Sequence, residues 1–272
     1  MFPGAVATHE EASYALIGAP LDVSTSYQPG TRFGPGQMRE VAQSFEDYDQ
    51  HTGQQFTSLS VYDHGDIHPS ADTEEYLTFL EGTISEYARE GVVPILLGGE
   101  HTVTVGGLRA LSPDVYVCLD AHLDLRESYA GNPLSHATVS HHALKHADEV
   151  YILGARSGCE TEFQRAETTD SVTVISPEDV ADWEPSFADK SVYLSVDIDA
   201  ADPGFAPGTG TPEPFGLTPR TMHRVVRQVA PECDGFDIVE VNDRDDGQAA
   251  VLGAKLLRSF IYAHAAGSES GP

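Results

Sequence analysis

Positive charge is scarce in this sequence: three lysines, Lys145, Lys190 and Lys255, and 15 basic residues in all stand against 43 acidic ones, a formal net charge of -28. Such a surface repels phosphate backbones and anionic lipid, so neither nucleic acid nor a membrane is an expected partner. Disorder often accompanies high net charge, but 40% of the residues are hydrophobic and they fall in regular runs. The chain reads as a folded protein with an acidic skin, as expected for a salt-loving organism whose counterions screen the self-repulsion. An expected result follows. Because the Debye length shrinks from ~10 Å at ~0.1 M salt to ~3 Å at ~1 M, the melting temperature rises between dilute and molar salt. Thermal melts across that range check this, and equal or greater stability in dilute buffer contradicts it.

Cysteine is scarce too. Cys118, Cys159 and Cys233 have no metal-type spacing, and an odd count of 3 fits a reduced, cytoplasmic protein better than a disulfide framework. No apolar run approaches the length of a membrane span. Residues 1–11 lack both the basic start and the apolar stretch of a targeting signal. With no linker, repeat or low-complexity run, one domain over residues 1–272 is expected.

What is present is a regular alternation. Apolar runs of strand length occur at 14–17, 92–97, 115–119, 150–153, 172–175, 192–196 and 236–241, and amphipathic, helix-length stretches at 73–90, 218–229 and 248–264. Near-continuous apolar strands alternating with helices predict a three-layer α/β/α fold with a mainly parallel central sheet, covered on both faces. In such sheets ligands bind beyond the carboxyl ends of the strands. The segment around Gly30-Thr31-Arg32-Phe33-Gly34-Pro35 reads as architecture, with Arg32 anchoring a loop. Asp63-His64-Gly65-Asp66 reads as a polar turn after a strand and is set aside.

Three strand ends carry polar clusters. His101 follows the run 92–97; Asp120, His122 and Asp124 follow 115–119; Asp197 and Asp199 close 192–196. Extended backbone sends alternate side chains to one face, so the last two groups are expected to converge. Buried carboxylates side by side resist ionising unless a cation lies between them. Two imidazoles and four carboxylates exceed the needs of one ion and suit a pair of divalent cations sharing carboxylates. Oxygen-rich ligation favours manganese-like ions over structural zinc. Beyond Asp199, the Pro- and Gly-rich stretch to Glu213 reads as a held loop bringing a third carboxylate over the first two. Cys118 is expected to be a small buried hydrophobe. By spacing alone His136 is equally a proton carrier and the histidine of a helix-capping loop, while His141, His142 and His146 are expected on a solvated face.

Gly98-Gly99-Glu100-His101-Thr102, Asp120-Ala121-His122-Leu123-Asp124 and the string SVDIDAADPGFAPGTGTPE at 195–213 together resemble the ureohydrolases: arginase, agmatinase and related guanidino hydrolases. The resemblance runs from Gly18 to about Ile261 and implies the arginase-like fold. It implies two manganese ions per chain, one held by His101, Asp120, Asp124 and Asp197, the other by Asp120, His122, Asp197 and Asp199, with Asp120 and Asp197 bridging. It implies catalytic roles for Asp124, His136 and Glu213. A hydroxide bridging the metals would attack the guanidinium carbon, Asp124 would pass its proton to the leaving amine, His136 would shuttle protons and Glu213 would grip the guanidinium. Asn132, in the loop Gly131-Asn132-Pro133-Leu134-Ser135-His136, would join His136 and Glu213 in binding substrate, and that loop is more similar to agmatinases than to arginases. The resemblance thus implies agmatine, a small cationic guanidino substrate of polyamine biosynthesis, cleaved to putrescine and urea by a homo-oligomer, a trimer or hexamer. An arginase or another guanidino or formimino hydrolase, such as an aminopropyl-agmatine ureohydrolase, is the alternative; a non-catalytic metal-binding protein is the rival from another class. Ala137, Phe215, Asp243 and Asp245 depart from the family pattern and bear on the shape of the pocket.

Overall fold

The computed structural model describes residues 1–70 and 72–269. Strands β1 (Tyr14–Ala19), β2 (Val61–Asp66), β3 (Val93–Gly98), β4 (Val115–Leu119), β5 (Glu149–Leu153), β6 (Val172–Ile175), β7 (Val192–Asp197) and β8 (Cys233–Val239) form one sheet in the order β2-β1-β3-β8-β7-β4-β5-β6. Every pairing in it is parallel.

Strand parity sorts the side chains onto two faces. From β4, Val115, Val117 and Leu119 pack on one face with Met222, Val226, Leu257 and Phe260 of helices α6 (Pro219–Val229) and α7 (Gln248–Glu269). Tyr116 and Cys118 turn to the other, where Leu108 of α3 (Thr104–Leu111) and Val139 and Ala143 of α4 (Val139–Ala143) cover them. On that same side Tyr76, Leu80 and Ile84 of α2 (Thr73–Arg89) cover Ile17 and Leu96. The helices begin where their sequence says they should. Asp72 caps α2 by accepting from the Glu75 amide, and Thr218 caps α6 ahead of Pro219. The result is the expected α/β/α sandwich with a parallel sheet.

Three local expectations change. Asp63-His64-Gly65-Asp66 lies within edge strand β2 instead of a turn, and Asp63 is buried against Arg39 of α1 (Gly34–Val41) at 2.8 Å. Its polarity belongs to an ion pair that closes the sheet edge. His142 is buried, with Nε2 2.8 Å from the Pro133 carbonyl oxygen, so it braces a loop instead of facing solvent. Strand β8 stops at Val239, two residues short of the apolar run, because Glu240 adopts a left-handed φ of 62°. Arg32 does anchor its loop, with Nε 3.4 Å from Asp22.

Among the described residues no helix is long and apolar enough to cross a membrane.

Candidate active site

Four neighbouring strands of the sheet, β3, β8, β7 and β4, deliver their following residues to one place. After β3 the chain turns at Gly99, where a Cβ would lie 2.0 Å from the Leu21 carbonyl oxygen, and His101 opens a short 3-10 turn. His101 is buried, with Nε2 3.3 Å from both Ser195 Oγ and Tyr116 Oη. The Ser195 hydroxyl donates to buried Asp237 at 2.6 Å, and Asp237 also accepts from Tyr193 Oη and Thr104 Oγ1 at 2.8 Å each. Ser195 is therefore left to accept from His101 Nε2–H, which turns the Nδ1 lone pair toward the carboxylates. This is the outer hydrogen bonding that orients metal-binding histidines.

The carboxylates do converge, but not on extended backbone. Strand β4 ends at Leu119, Asp120 accepts from the His122 amide at 2.7 Å, and Asp124 has φ 52°, with its carbonyl oxygen accepting from the His141 amide. Asp197 is the last residue of β7, while Asp199 sits in the next 3-10 turn and donates its amide to Asp197 Oδ1 at 2.9 Å. Asp199 Oδ1 in turn accepts from the Ala121 amide, joining the two loops. Turn geometry, not strand parity, aims these side chains.

His101 Nδ1 lies 3.1 Å from Asp120 Oδ2, 3.1 Å from Asp124 Oδ2 and 3.4 Å from Asp197 Oδ2, yet it is buried and makes no hydrogen bond to any of them. His122 Nδ1 lies 3.0 Å from Asp199 Oδ2 and 3.6 Å from Asp120 Oδ1. Asp120 thus turns one oxygen to each histidine. The electrostatics point the same way. Burial, then Asp199 and Asp120, hold Asp197 well above the carboxylate range. Burial and Asp120 push Asp124 up to about 7. Burial alone would lower the two histidines, but Asp199 and Asp120 push His122 up to about 12, while Tyr116, Cys118 and the adjoining carboxylates raise His101. Against burial, His101 and His122 hold Asp120 below the carboxylate range, so it is Asp124 and Asp197 that resist ionising beside histidines that seek protons. A site so arranged is short of positive charge, and these residues fit a pair of divalent cations. Among the described residues, the groups with donor atoms close enough to hold an ion include Asp120, His122 and Asp199, and His101 with Asp120 and Cys118. Burial pushes the Cys118 thiol up to about 12, so it stays protonated, the small hydrophobe expected.

A cavity of about 220 Å³ opens over this cluster, lined by His122, Asp124, Arg126, Tyr129, His136 and Thr211 among others. His136 Nε2 is buried with no hydrogen-bond partner, and burial pulls the imidazole below the usual histidine range against the pull of Glu100. Glu213 stands at the rim, its side chain 36% exposed, with Oε1 3.0 Å from Ser157 Oγ and 3.8 Å from His122 Nε2. Asn132 commits its side-chain oxygen to the Leu134 amide and lines a neighbouring hollow with Ser24 and Tyr129. Arg126 is tied to buried Glu162 at 3.0 Å.

Two residues escaped the sequence reading. Arg156 reaches the carbonyl oxygens of Asp199, Ala200, Ala201, Glu213 and Pro214, which is what holds the 199–214 loop. Glu240 follows β8 and is 2% exposed; Oε1 accepts from the His101 amide at 2.8 Å, while Oε2 is buried with no partner. A Cβ on Gly210 would lie 2.6 Å from that free oxygen, so only glycine fits beside it. The signal was available in an acid closing an apolar run at a strand's carboxyl end, the pattern already used for Asp120 and Asp197. Of the departures from the family pattern, Phe215 is 83% exposed, while Asp245 accepts from the Gly208, Gly247 and Ala249 amides and so clips the site loop to the start of α7. Ala137 lines the cavity.

The profile of the Arginase family matches residues 12–262. The agmatinase of Bacillus subtilis is 35% identical over 268 residues, covering 93% of this chain and 92% of the relative. The N(1)-aminopropylagmatine ureohydrolase of Thermococcus kodakarensis is 37% identical, covering 94% and 92%. The crystal structure of the agmatine ureohydrolase of Thermoplasma volcanium superposes with a TM-score of 0.94 at 35% identity, covering 100% of this chain and 96% of that one.

Proposed function

The chain belongs to the arginase family, and from that premise we propose that it is a manganese-dependent ureohydrolase converting agmatine and water to putrescine and urea. The observation that carries the reading is Asp120, buried, with one oxygen turned to each of two histidines beneath an open cavity. His101, Asp120, Asp124 and Asp197 would hold one ion and Asp120, His122, Asp197 and Asp199 the other. When bound, such ions supply the Lewis acidity that makes water a nucleophile near neutral pH.

The chain's own groups do the rest. The guanidinium is a planar fork of donors, and a buried carboxylate with one free oxygen is its natural partner. We assign that grip to Glu240, with Glu213 steering the substrate from the rim. Held in this way, the guanidinium carbon meets the attacking water at fixed distance and angle, which lowers the entropic part of the barrier. As the new C–O bond forms and the C–N bond to the alkyl chain breaks, Asp124 takes the proton released by water and delivers it to the departing amine. His136, with its free Nε2, exchanges protons between the site and solvent.

The tail of the substrate decides between agmatine and arginine. An α-carboxylate must meet donors or cations, because leaving it desolvated and unpaired is costly. The Arg126 guanidinium that lines the cavity is already tied to Glu162, and Glu127 beside it is exposed and acidic. The acidic surface also draws in a dication more strongly than a zwitterion. Urea release from agmatine, aminopropyl-agmatine and arginine, in high salt with manganese, tests this. The expected kcat/KM for agmatine exceeds that for arginine by at least about 100-fold, ~2.7 kcal/mol. A preference for arginine makes the protein an arginase, and one for aminopropyl-agmatine moves the assignment to that substrate. The same reading has the chain working in the cytoplasm as a homo-trimer or hexamer, which light scattering would size.

A further inference from the structure

His136 does not stand at the end of a strand. It opens a 3-10 turn after a loop with left-handed backbone at Ala130 and Gly131. Among the described residues, the hydrogen bonds of 129–138 run almost entirely within ten residues of chain: Asn132 to Leu134, Ser135 to Ala137, Thr138 to Pro133, His142 to Pro133. The exception is the His136 amide, which donates to Ser24 Oγ at 2.9 Å, across 112 residues.

Ser24 is itself held. The Glu100 carboxylate, fully buried one residue before His101, accepts through Oε2 from the Val23 amide at 2.6 Å and the Ser24 amide at 2.7 Å. Through Oε1 it accepts from Ser24 Oγ and Thr102 Oγ1, each at 2.7 Å. With four donors at its two oxygens, this carboxylate is satisfied without a cation, unlike the cluster next to it. A serine hydroxyl has one hydrogen. Committed to Glu100, it leaves the oxygen lone pairs facing His136, and hydrogen bonds to a charged acceptor are short and directional. The chain Glu100–Ser24–His136 therefore links the turn after β3, which carries His101, to the loop that carries the proposed proton carrier.

We propose that Ser24, oriented by Glu100, is a positioning residue that fixes the backbone of His136 and so aims its imidazole into the cavity; this rests on the reading of His136 as the proton carrier. Small displacements of such a group slow turnover without touching metal or substrate affinity, and a misplacement of ~1 Å can cost on the order of 100-fold.

A double-mutant cycle tests it, using Ser24→Ala, His136→Ala and the pair, with agmatine as substrate. Ser24→Ala is expected to lower kcat about tenfold, within that range, with KM and a content of two metal ions unchanged. Ser24→Thr keeps a hydroxyl and restores kcat. In the His136→Ala background, Ser24→Ala is expected to change nothing further, because its effect passes through His136. An equal loss in both backgrounds, or none in the wild type, overturns the proposal. Amide hydrogen exchange of the peptide holding His136 gives a second reading: slow in the wild type and Ser24→Thr, fast in Ser24→Ala. If His136→Ala leaves turnover intact, the proton-carrier reading fails, and exchange still decides whether Ser24 holds the turn; slow exchange in Ser24→Ala overturns that as well.

Discussion

Replacing Asp120 by alanine is expected to abolish urea release and loosen both metal positions at once. Its two oxygens point at different histidines, Oδ2 at His101 Nδ1 and Oδ1 at His122 Nδ1, so its loss takes a carboxylate oxygen from both positions at once. Asp197→Ala should behave alike, since Asp197 lies 3.4 Å from His101 and also orients Asp199 through its amide. A loss of at least about 1,000-fold in kcat/KM is expected, ~4 kcal/mol at ~1.36 kcal/mol per decade. The metal measurement separates this from other lesions. Plasma emission spectrometry on the isolated protein should find two manganese ions in the wild type, and calorimetric titration should show both affinities weakened in Asp120→Ala. His136→Ala is the contrast: both ions stay bound while turnover falls, in the range of about 100- to 10,000-fold typical for loss of a proton-transfer group. If Asp120→Ala or Asp197→Ala kept two ions and substantial activity, the cluster assignment would be wrong.

Glu240→Gln is expected to cripple catalysis while making the metal-free protein more stable. The two effects have opposite signs for one reason. Burial, with Glu100 and Asp199 nearby, holds the Glu240 carboxyl well above the usual range in the folded protein. A carboxyl whose pKa is raised on folding binds more protons folded than unfolded, so stability falls as pH rises through the unfolded value toward the folded one. An amide of the same shape removes that penalty and can still accept from the His101 amide, so the melting temperature of metal-free Glu240→Gln should exceed that of the wild type at neutral pH. The same change takes from the substrate its anionic partner. Breaking a buried charge pair from one side is expected to lower kcat/KM for agmatine by about 100-fold or more. Glu213→Gln, at the exposed rim, should cost no more than about tenfold, as solvent-screened pairs do. If Glu213→Gln proved the more damaging of the two, the guanidinium grip would belong to Glu213.

Much of this was legible in the chain itself. Apolar runs set between helical stretches specify a parallel sheet, because burial on both faces demands near-continuous hydrophobicity whatever the order of the strands. Asp120, His122, Asp124, Asp197 and Asp199 stood out because acids that interrupt buried strands call for a partner. The sequence also determined the charge of the surface, which depends on composition alone. What only the tertiary structure decided is adjacency. The strand order puts β8 between β3 and β7, so Glu240 comes to the amide of His101 from 139 residues away. Ser24 meets His136, and Arg156 gathers five carbonyl oxygens of the 199–214 loop, through contacts that no local period encodes. Parity misjudged how the carboxylates converge for the same reason. The period of two holds only while backbone stays extended, and the left-handed turn at Asp124 and the 3-10 turn at Asp199 are adopted because partners elsewhere in the fold, the His141 amide and the Ala121 amide, are there to receive them.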